Sequence, residues 1–489
     1  MIINRSFKDF KFRHRSKKNQ IIFTSKKTKN DEEVLNLIDN FLDEKNSFIF
    51  ESVEKGKIKG RYTIFGKNPD KIWEFNNQNS YLIKNNNRVK LTDKPENLIE
   101  KIIEEFKFET PKNLPNLCSL ISGYFSYDSV RYIEKIPNSC KNDLNIPDVR
   151  LLRPRTLVIH DNLKKEIFYI INIFKDEKII NYQKRYGEIK SDLFKLLIQS
   201  SIKNLTTIDN KQSKNLKIRS NTSKSRFLEM VNKAKKYIKL GDIFQVVLSQ
   251  RFEAKLIKKP LDIYKKLRVT NPSPFMFFFN FKDFQIIGAS PEILVRLRDN
   301  KITVRPIAGT RPRGKSLNED RYYEKDLLKD KKELSEHLML LDLGRNDAGK
   351  VSKINTVKVT ESFIIEKYSH VMHIVSNVVG EYNKKFSKFK SLLAGFPAGT
   401  VSGAPKIRAM EIIDELEKTK RKVYAGGIGY FSANGEFDTC IALRTAVAKK
   451  NKFYVQAGAG IVADSKPLKE YEETVNKAKA LINALKWKK

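Results

Sequence analysis

Cysteines and long apolar runs are both scarce in this 489-residue chain. Its three cysteines, Cys118, Cys140 and Cys440, lie far apart and form no C-x-x-C pair. This spacing argues against a disulfide framework and against a zinc site built on paired cysteines, so we interpret them as reduced thiols of a cytoplasmic protein. No apolar run approaches the roughly 18 residues that span a bilayer, so we expect no membrane association.

Acidic residues are also few, with 57 Asp and Glu against 95 Lys and Arg, which gives a formal net charge of +38. Such a charge is typical of nucleic-acid-binding proteins, and that class is a competing hypothesis. The lysines are spread along the whole chain, however, and no zinc-finger or RNP-like motif accompanies them, so we expect no nucleic-acid partner. The basic N-terminus lacks an apolar stretch and does not resemble a secretory signal, whereas an organellar transit peptide stays open.

Strand and helix signals follow one another in runs along the chain. A helix is predicted at 32–43, strands within 47–66, a hairpin at 157–161 and 167–174, and a helix at 182–203. Residues 204–224 are rich in Asn, Lys, Thr and Ser, which predicts a linker before a helix capped by Ser225. Runs of strands favour an α+β fold with antiparallel sheet, and the linker divides it into domains 1–210 and 220–487.

Two pairs of glutamates share one spacing. Glu333 and Glu336 lie three residues apart, as do Glu470 and Glu473, so each pair shares one face of a predicted helix. If the two helices meet, their carboxylates offer the oxygen ligands that Mg²⁺ prefers. The structural alternative is solvated surface charge, which is common at this spacing. The opposite side of the first helix is predicted to bury Leu334, Leu338, Leu341 and Leu343.

Two loops have the composition of anion-binding segments. Residues 305–314 form a Gly/Pro/Arg segment after a strand, for which a structural turn is an equal alternative. Residues 396–417 form a Gly/Ser/Thr-rich loop that enters a helix, with Pro405 in the first turn. A helix N-terminus offers donors to a carboxylate or phosphate, but Lys406 lacks the frame of a nucleotide-binding P-loop.

A charged residue and a histidine pair stand out among apolar neighbours. Strands are predicted at 426–432, 440–448 and 453–462, and Arg444 lies inside the second. A half-buried arginine needs an anionic partner, which is either a structural carboxylate or a ligand. His370 and His373 are predicted to share a helical face. A packed histidine is the default interpretation, and His373 is a candidate acid or base.

A family resemblance runs from FESVEKG and GRY near residue 50 to EYEETVNKA near residue 473, and nine strings between them occur in a fixed order. They are PSPFMFFF, GASPEILV, RPIAGTRPRG, ELSEHLMLLDLGRND, SHVMHIVS, GTVSGAPKIRAMEII, YAGGIGYFS, DTCIALRTA and VQAGAG. Through them the chain resembles the anthranilate synthase component I proteins of the chorismate-utilising enzyme family. The resemblance implies large antiparallel sheets packed face to face, helices on the outside, and intertwined halves. It also implies a Mg²⁺-dependent lyase that makes anthranilate and pyruvate from chorismate and ammonia, the first committed step of tryptophan biosynthesis.

The resemblance also assigns residues. By position, Glu336 and Glu473 resemble the direct Mg²⁺ ligands, and Glu333 and Glu470 their supporting partners. The substrate-binding set consists of Thr310, Tyr424, Arg444, Gly458, Ala459, Gly460 and Lys477. The catalytic set consists of Glu292, His373, Gln245 and Thr400. Glu292 resembles the acid that protonates the leaving hydroxyl, and the role of His373 stays open.

Two positions discriminate reactions within the family. Isochorismate and salicylate synthases carry a water-activating lysine where this chain has Gln245, which cannot take a proton. Aminodeoxychorismate synthases carry a nucleophilic lysine where this chain has Ala308, whose methyl group cannot attack carbon. Ammonia needs neither residue. Aminodeoxychorismate synthase component I is the alternative function that we retain.

The resemblance further implies regulation and a partner. Tryptophan is expected to inhibit by feedback, through an N-terminal domain that contributes Glu51 and Ser52, facing Pro274, Phe275 and Met276. Because no cysteine lies in the G-x-C-x-G setting of an amidotransferase, we expect a separate glutamine amidotransferase subunit to supply ammonia. The assembly implied is a heterotetramer.

Overall fold

Antiparallel strands dominate the computed structural model, which describes residues 2–28, 32–54, 58–202, 216–368 and 371–486. The helices are α1 (Phe7–Arg15), α2 (Glu32–Phe41), α3 (Pro95–Glu105), α4 (Tyr182–Ser201), α5 (Lys224–Lys239), α6 (Pro260–Thr270), α7 (Leu317–Lys329), α8 (Lys331–Gly349), α9 (Lys388–Ala394), α10 (Lys406–Leu416) and α11 (Pro467–Lys486). Short 3-10 turns cover Tyr127–Tyr132 and Gly399–Val401.

The strands of the first half are β1 (Gln20–Lys27), β2 (Ser47–Glu51), β3 (Val53–Glu54), β4 (Ile58–Lys59), β5 (Tyr62–Asn76), β6 (Asn79–Lys84), β7 (Asn87–Leu91), β8 (Leu120–Phe125), β9 (Val149–Asp161) and β10 (Glu166–Ile173). Those of the second half are β11 (Arg219–Ser220), β12 (Gln245–Lys255), β13 (Phe275–Asn280), β14 (Gln285–Ser290), β15 (Ile293–Arg298), β16 (Lys301–Val304), β17 (Ile307–Pro312), β18 (Lys358–Lys367), β19 (Val371–Glu381), β20 (Gly403–Ala404), β21 (Gly427–Ser432), β22 (Phe437–Ile441), β23 (Thr445–Lys449) and β24 (Lys452–Ile461).

The long strands β5 and β9 pair along most of their length and belong to two sheets. The first sheet has the order β1-β10-β9-β5-β2-β13-β14-β23-β24-β12. The second has the order β7-β6-β5-β9-β8-β21-β22-β15-β16-β19, with β17 and β18 also paired to β19. One continuous network of strands therefore forms two layers.

Both faces of the first sheet are buried. Alternate side chains of a strand point to opposite faces. Phe48 and Phe277 join a core cluster that also contains Leu120 and Ile428 of the second sheet, so this cluster lies between the sheets. Phe278, one residue further along, packs instead into a cluster with the outer helices. Burial on both faces explains why the sequence of β13 is an almost unbroken apolar run.

The helices cover the outer faces of the sheets. Buried residues of α1, α2, α4, α6 and α11 join the outer cluster of the first sheet. Buried residues of α3, α5, α9 and α10 join a further cluster with the second sheet. This arrangement confirms the predicted α+β class, with helices outside packed sheets. None of the helices within the described ranges is long and apolar enough to cross a membrane.

Strands of the two halves pair directly. Phe277 in β13 lies opposite Phe50 in β2, and β8 pairs with β21. The predicted domains 1–210 and 220–487 stay a prediction. Part of the predicted linker, 204–215, lies outside the described residues. The helix after it begins earlier than expected, because Ser223 rather than Ser225 is its N-cap and accepts from the Arg226 amide.

Candidate functional site

Glu333 and Glu336 lie in the first two turns of α8. Asp330 caps this helix, and its Oδ1 accepts hydrogen bonds from the amides of Lys332 and Glu333 at 3.1 and 3.2 Å. Arg311 of β17 donates to Asp330 at 2.8 Å and lies 3.5 Å from the Glu333 carboxylate. The start of α8 is therefore fixed to the second sheet.

The buried face of α8 matches the prediction only in part: of the four leucines, Leu341 is buried, Leu334 and Leu343 are half-buried and Leu338 is exposed. Leu340 and Leu341 are buried, and His337 Nε2 lies 2.7 Å from Ser376 Oγ of β19. Leu338 is 58% exposed, so its predicted burial is wrong. Because α8 packs on strands β16, β17 and β19 from one side only, a residue directly after His337 points to solvent.

Glu470, Glu473 and Lys477 lie along one face of α11. The buried stripe of α11 adjoins this face: it contains Thr474, Ala478, Leu481 and Leu485, and Glu470 is buried with it. Thr474 Oγ1 accepts from Gln250 Nε2 of β12 at 2.7 Å, which fixes α11 on the first sheet. Lys477 Nζ lies 2.6 Å from the Glu473 carboxylate and donates to the Gly458 carbonyl at 3.1 Å.

The structure brings the two glutamate pairs together. Burial raises the pKa of Glu336, and the negative charge of Glu473 on α11 raises it further. Burial likewise raises the pKa of Glu470 and of Glu333, each with a neighbouring carboxylate as a further cause. Gln245 Nε2 of β12 donates to Glu336 Oε1 at 3.0 Å. Facing carboxylates that repel one another favour a bound cation between them.

The glutamates do not form a closed cage by themselves. Within the described ranges, no three His, Cys, Asp or Glu side chains are grouped closely enough to hold a metal ion. Mg²⁺ usually takes only one or two protein carboxylates and completes its octahedron with water and substrate oxygens. Glu336 and Glu473, whose carboxylates are close enough for the charge of one to raise the pKa of the other, are two protein carboxylates of this kind.

Two glycines of β24 allow close approach to this region. A Cβ atom on Gly460 would lie 2.5 Å from Gln245 Nε2 and 3.8 Å from Glu336 Oε1. A Cβ on Gly458 would lie 2.7 Å from the hydroxyl of buried Tyr424. Gly458, Ala459 and Gly460 therefore form a bare strip of backbone beside Tyr424 and the carboxylates.

Arg444 lies at a break between strands rather than inside one. The predicted strand 440–448 is wrong, because β22 ends at Ile441 and β23 begins at Thr445. Arg444 has φ of 46°, in the left-handed region that breaks a strand. Burial lowers the pKa of its guanidinium, and among the described residues no carboxylate lies within ion-pair distance. Arg444 was predicted to pair with either a structural carboxylate or a ligand. The described residues provide no such carboxylate, which leaves a ligand as the partner.

Glu292 follows β14 and is 5% exposed. Burial raises the pKa of its carboxyl group to about 8, although the Thr400 hydroxyl, which donates at 3.1 Å, works in the opposite direction. Lys477 is close enough to lower the same pKa. A small cavity of about 20 Å³ lined by Glu292 and Thr400 extends toward Leu340 and Gly344 of α8. Glu292 is therefore protonated near neutral pH and can donate a proton.

His373 lies on strand β19, not on the predicted helix, and His370 lies outside the described residues. Spacings of two and three both occur in the apolar string around it, so periodicity alone was ambiguous. His373 Nδ1 lies 2.8 Å from the Gly309 carbonyl and 3.1 Å from Thr310 Oγ1. A carbonyl accepts only, which places the proton on Nδ1 and leaves Nε2 as an acceptor. Burial lowers the pKa of the ring to about 4, and the nearby charges of Arg444 and Lys477 contribute.

The predicted anion loop at 305–314 contains a strand. β17 covers Ile307–Pro312 and pairs with β19 through a bulge between Ala308 and Arg311. Gly309, with φ of 65°, lies in that bulge. The bulge presents the Gly309 carbonyl and Thr310 to His373. Ala308 is buried beside them in β17.

The predicted inhibitor residues meet at the edge of β2 and β13. Glu51 lies opposite Met276 in the strand register, and Phe275 lies opposite Ser290 of β14. Ser52 follows β2 and is half-buried. Pro274 directly precedes β13.

Glu51 itself is already occupied by protein partners. Both of its carboxylate oxygens accept from Arg268 Nε, at 2.7 and 2.8 Å, and Tyr264 donates its hydroxyl to one of them. Sequence reasoning missed Arg268 and Tyr264, because they lie more than 200 positions away and carry no local signal. It also missed Asp330, although the D-x-x-E spacing before α8 is a capping signal.

Known proteins resemble this chain over most of its length. Residues 46–483 match the family described as chorismate binding enzyme. The chain belongs to this family. It is 47% identical over 489 residues to anthranilate synthase component 1 of Cereibacter sphaeroides, covering 98% of this chain and 97% of the relative. It is 44% identical over 456 residues to the protein of the same name from Acetivibrio thermocellus, covering 92% of each.

Solved structures agree with these relatives. Anthranilate synthase component I of Streptococcus pneumoniae superposes with a TM-score of 0.78 at 38% identity, covering 86% of this chain and 92% of that one. The menaquinone-specific isochorismate synthase MenF of Escherichia coli shares the fold, with a TM-score of 0.70 at 18% identity over 96% and 95% of the two chains. The chain is thus a family member whose relatives at 42–47% identity carry the name anthranilate synthase component 1.

Proposed function

We propose that this protein is the synthase component of an anthranilate synthase, which converts chorismate and ammonia to anthranilate, pyruvate and water. The names of its relatives support this function at the coarse level. The observation that carries the finer proposal is one cluster. It contains facing carboxylates, an arginine without a carboxylate partner, a protonated acid and a neutral imidazole.

A magnesium ion fits the facing carboxylates of this cluster. Glu336 and Glu473 would hold it directly, and Glu333 and Glu470 through water. When bound, the ion neutralises negative charge on the protein and on the substrate carboxylate beside it. Burial raises the pKa of Glu336 and of Glu470, and the nearby charges of Lys332 and Lys477 offset this only in part, which supports a cation beside these carboxylates.

The second half of the proposal concerns substrate binding. Chorismate carries two carboxylates, and Arg444 is the group best suited to a second anion because no carboxylate of the described chain neutralises it. Lys477 and the backbone strip from Gly458 to Gly460 supply further donors. Tyr424, whose hydroxyl touches Gly458, closes one side. Thr310 lines the opposite side beside His373.

Addition of ammonia needs an acid but no base. Ammonia attacks ring carbon C2 with its own lone pair, the double bonds shift, and the C4 hydroxyl leaves. Glu292, protonated below about pH 8, gives its proton to that hydroxyl, which departs as water. Gln245 is directed at Glu336 and cannot activate water, and Ala308 cannot attack carbon. Both features disfavour the water-adding and lysine-dependent reactions.

The following elimination needs a base. The ring proton at C2 must be removed while the bond between C3 and the ether oxygen breaks, and the released enolpyruvate takes up a proton at its methylene carbon to become pyruvate. His373 is suited to this task because its Nδ1 proton is bound to the Gly309 carbonyl, and its Nε2 is therefore a free acceptor in the neutral ring. We assign it the role of this base.

Ammonia supply and regulation complete the proposal. The reaction uses ammonia, and we propose a glutamine amidotransferase subunit as its source, in a cytoplasmic heterotetramer. We also propose that tryptophan inhibits the enzyme at Ser52 and the wall formed by Pro274, Phe275 and Met276. The pairing of Phe275 with Ser290, two residues before Glu292, supports communication between the two sites.

The direct test is product identification. Purified protein is incubated with chorismate, ammonium chloride and MgCl₂, and the product is analysed by fluorescence and mass. We expect anthranilate and an equal amount of pyruvate. Aminodeoxychorismate, which keeps the enolpyruvyl group, would instead support the alternative function, and isochorismate would contradict the role given to Gln245.

A further inference from the structure

A buried ion pair lies directly behind the candidate site. Arg421 binds Glu417 through two hydrogen bonds, from Nε at 3.0 Å and from Nη2 at 2.6 Å. Arg421 is 2% exposed and Glu417 is 7% exposed. Two-point binding of this kind fixes the plane of the guanidinium.

The other donors of Arg421 reach two segments of the site. Nη1 donates to the Val401 carbonyl at 2.7 Å, and Val401 directly follows Thr400. Nη2 donates to the Val247 carbonyl at 2.6 Å, and Val247 lies opposite Gly460 in the sheet. The Arg421 guanidinium therefore connects the segment of Thr400, which donates to Glu292, with the strand that pairs with the glycine strip Gly458–Gly460.

The same ion pair supports the rest of the glycine strip and Tyr424. Glu417 Oε1 accepts from the amide and the hydroxyl of Ser249, at 2.8 and 2.9 Å, and Ser249 lies opposite Gly458. The Arg421 guanidinium also lies 5.6 Å from the centre of the Tyr424 ring. The ring of Tyr127, outside the candidate site, is 4.7 Å from the same guanidinium, and each of the other contacts is to a segment that carries or pairs with a proposed site residue.

The backbone that carries Tyr424 needs such support. Lys422 and Ala425 flank it with φ of 51° and 64°, in the left-handed region that residues other than glycine rarely adopt. Such a conformation persists when the surrounding structure fixes it. Arg421, adjacent to this segment, supplies fixed contacts on one side.

We infer that Arg421 is a positioning residue for the proposed reaction. It holds Thr400, the glycine strip of β24 and Tyr424 in register with one another, and it does not touch the substrate itself. This inference rests on the proposed function for the identity of the substrate.

The chain offers a matched control in Arg150. This arginine is 6% exposed, pairs with Glu74 and Asp283, and lies 5.0 and 4.8 Å from the rings of Phe281 and Phe284. It has the same chemistry as Arg421 but contacts no segment of the candidate site. Arg421→Lys and Arg150→Lys each keep the charge and remove the planar set of five donors.

The test compares both variants with the wild type by thermal melting, calorimetric titration of chorismate in MgCl₂, and turnover to anthranilate. Both variants should melt lower by similar amounts. Arg421→Lys should bind chorismate at least tenfold more weakly and turn over at least tenfold more slowly, whereas Arg150→Lys should stay within threefold. If Arg421→Lys does not fold, Glu417→Gln, a milder change to the same ion pair, takes its place in the comparison. It should weaken chorismate binding and slow turnover at least threefold.

A double-variant comparison separates positioning from general destabilisation. The double variant of Tyr424→Phe and Arg421→Lys should lose less chorismate affinity than the product of the two single fold-changes, because both changes act on the same contact. The double variant of Tyr424→Phe and Arg150→Lys should lose an amount equal to the product of its single fold-changes. Equal losses in Arg421→Lys and Arg150→Lys, or full multiplication in both combinations, would overturn the inference. A wild type that binds chorismate without forming anthranilate would refute the proposed function alone, since the binding comparison still tests Arg421.

Discussion

Two regions of this protein hold buried carboxylates, and they differ in how those charges are paired. At the junction of β2 and α6, Glu51 accepts two hydrogen bonds from Arg268 and one from Tyr264. Between α8 and α11, Glu336 has the amide of Gln245 as its hydrogen-bond partner and faces another carboxylate. The buried carboxylate of the first region thus has a cationic partner, whereas Glu336 in the second has only a neutral amide as its hydrogen-bond partner among the described residues.

The difference indicates which region is built for a ligand. Burying a charge is unfavourable unless a partner compensates for it. Glu51 has that partner within the chain, so its carboxylate shapes the structure around Ser52. Between α8 and α11, Glu333 and Glu473 lie beside Arg311 and Lys477. Among the described residues, however, Glu336 and Glu470 form no ion pair and Arg444 has no carboxylate partner, which favours a bound cation and a bound anion.

The largest expected effect concerns the proposed acid. Glu292→Gln keeps the shape of the side chain but has no proton to donate, so kcat should fall by roughly 10²- to 10⁴-fold. In the wild type, activity should decline as pH rises through about 8, because Glu292 loses its proton, and as pH falls through about 4, because His373 gains one. A pH–rate profile of anthranilate formation would check both limbs. Wild-type activity that is flat from pH 7 to 10 would remove Glu292 from this role.

Next in size is the contrast between the two arginines. Arg268→Met leaves Glu51 buried without its cation and should lower the free energy of unfolding by roughly 3 kcal/mol. Arg444→Met removes a cation that no carboxylate of the described chain neutralises, so the ligand-free protein should unfold at the same urea concentration or a higher one. Urea unfolding monitored by circular dichroism measures both. Equal destabilisation by the two changes would erase the distinction between the regions.

A smaller effect on stability is expected at Glu336. Its pKa is raised, so ionisation at neutral pH makes the folded state less stable, and that loss grows as pH rises through the folded pKa. Glu336→Gln should therefore raise the melting temperature in the presence of EDTA. In the wild type MgCl₂ should raise the melting temperature, and in the variant it should not. A variant that melts lower in EDTA would indicate that Glu336 has a structural partner.

The smallest effect on turnover is expected at Ser52. Ser52→Phe places a bulky ring among the proposed inhibitor residues and should leave anthranilate formation within about twofold, since Ser52 lies outside the candidate site. Tryptophan should no longer inhibit this variant. Inhibition curves of the wild type and the variant, measured side by side, check the prediction. An unchanged curve would place the inhibitor elsewhere.

Much of the fold followed from local pattern. The spacing of Glu333 and Glu336 predicted their common helical face, and runs of strands predicted the α+β class, because both signals reside in neighbouring residues. The roles of Glu292, Tyr424 and the glycine strip came from the family resemblance rather than from spacing. They stay predictions about function even though the structure places these residues close together.

The failures share a physical cause. Arg444 interrupts an apolar run that looked like one strand, because a single left-handed residue leaves no mark on hydropathy. His373 lies on a strand because β19 pairs with the neighbouring β18 and also with β17, whose Gly309 is 64 positions away in sequence. The contacts of Arg268 with Glu51 and of Arg421 with Val247 join segments that are 217 and 174 positions apart, which no window along the chain can detect.

The central claim is that the carboxylates of α8 and α11 bind Mg²⁺ together with the substrate. Calorimetric titration of chorismate into the wild type, with MgCl₂ and with EDTA, tests it most directly, because a shared site requires each ligand to strengthen binding of the other. We predict at least tenfold tighter chorismate binding with MgCl₂, and no such gain in Glu336→Gln. Equal chorismate affinity in MgCl₂ and in EDTA would contradict the account.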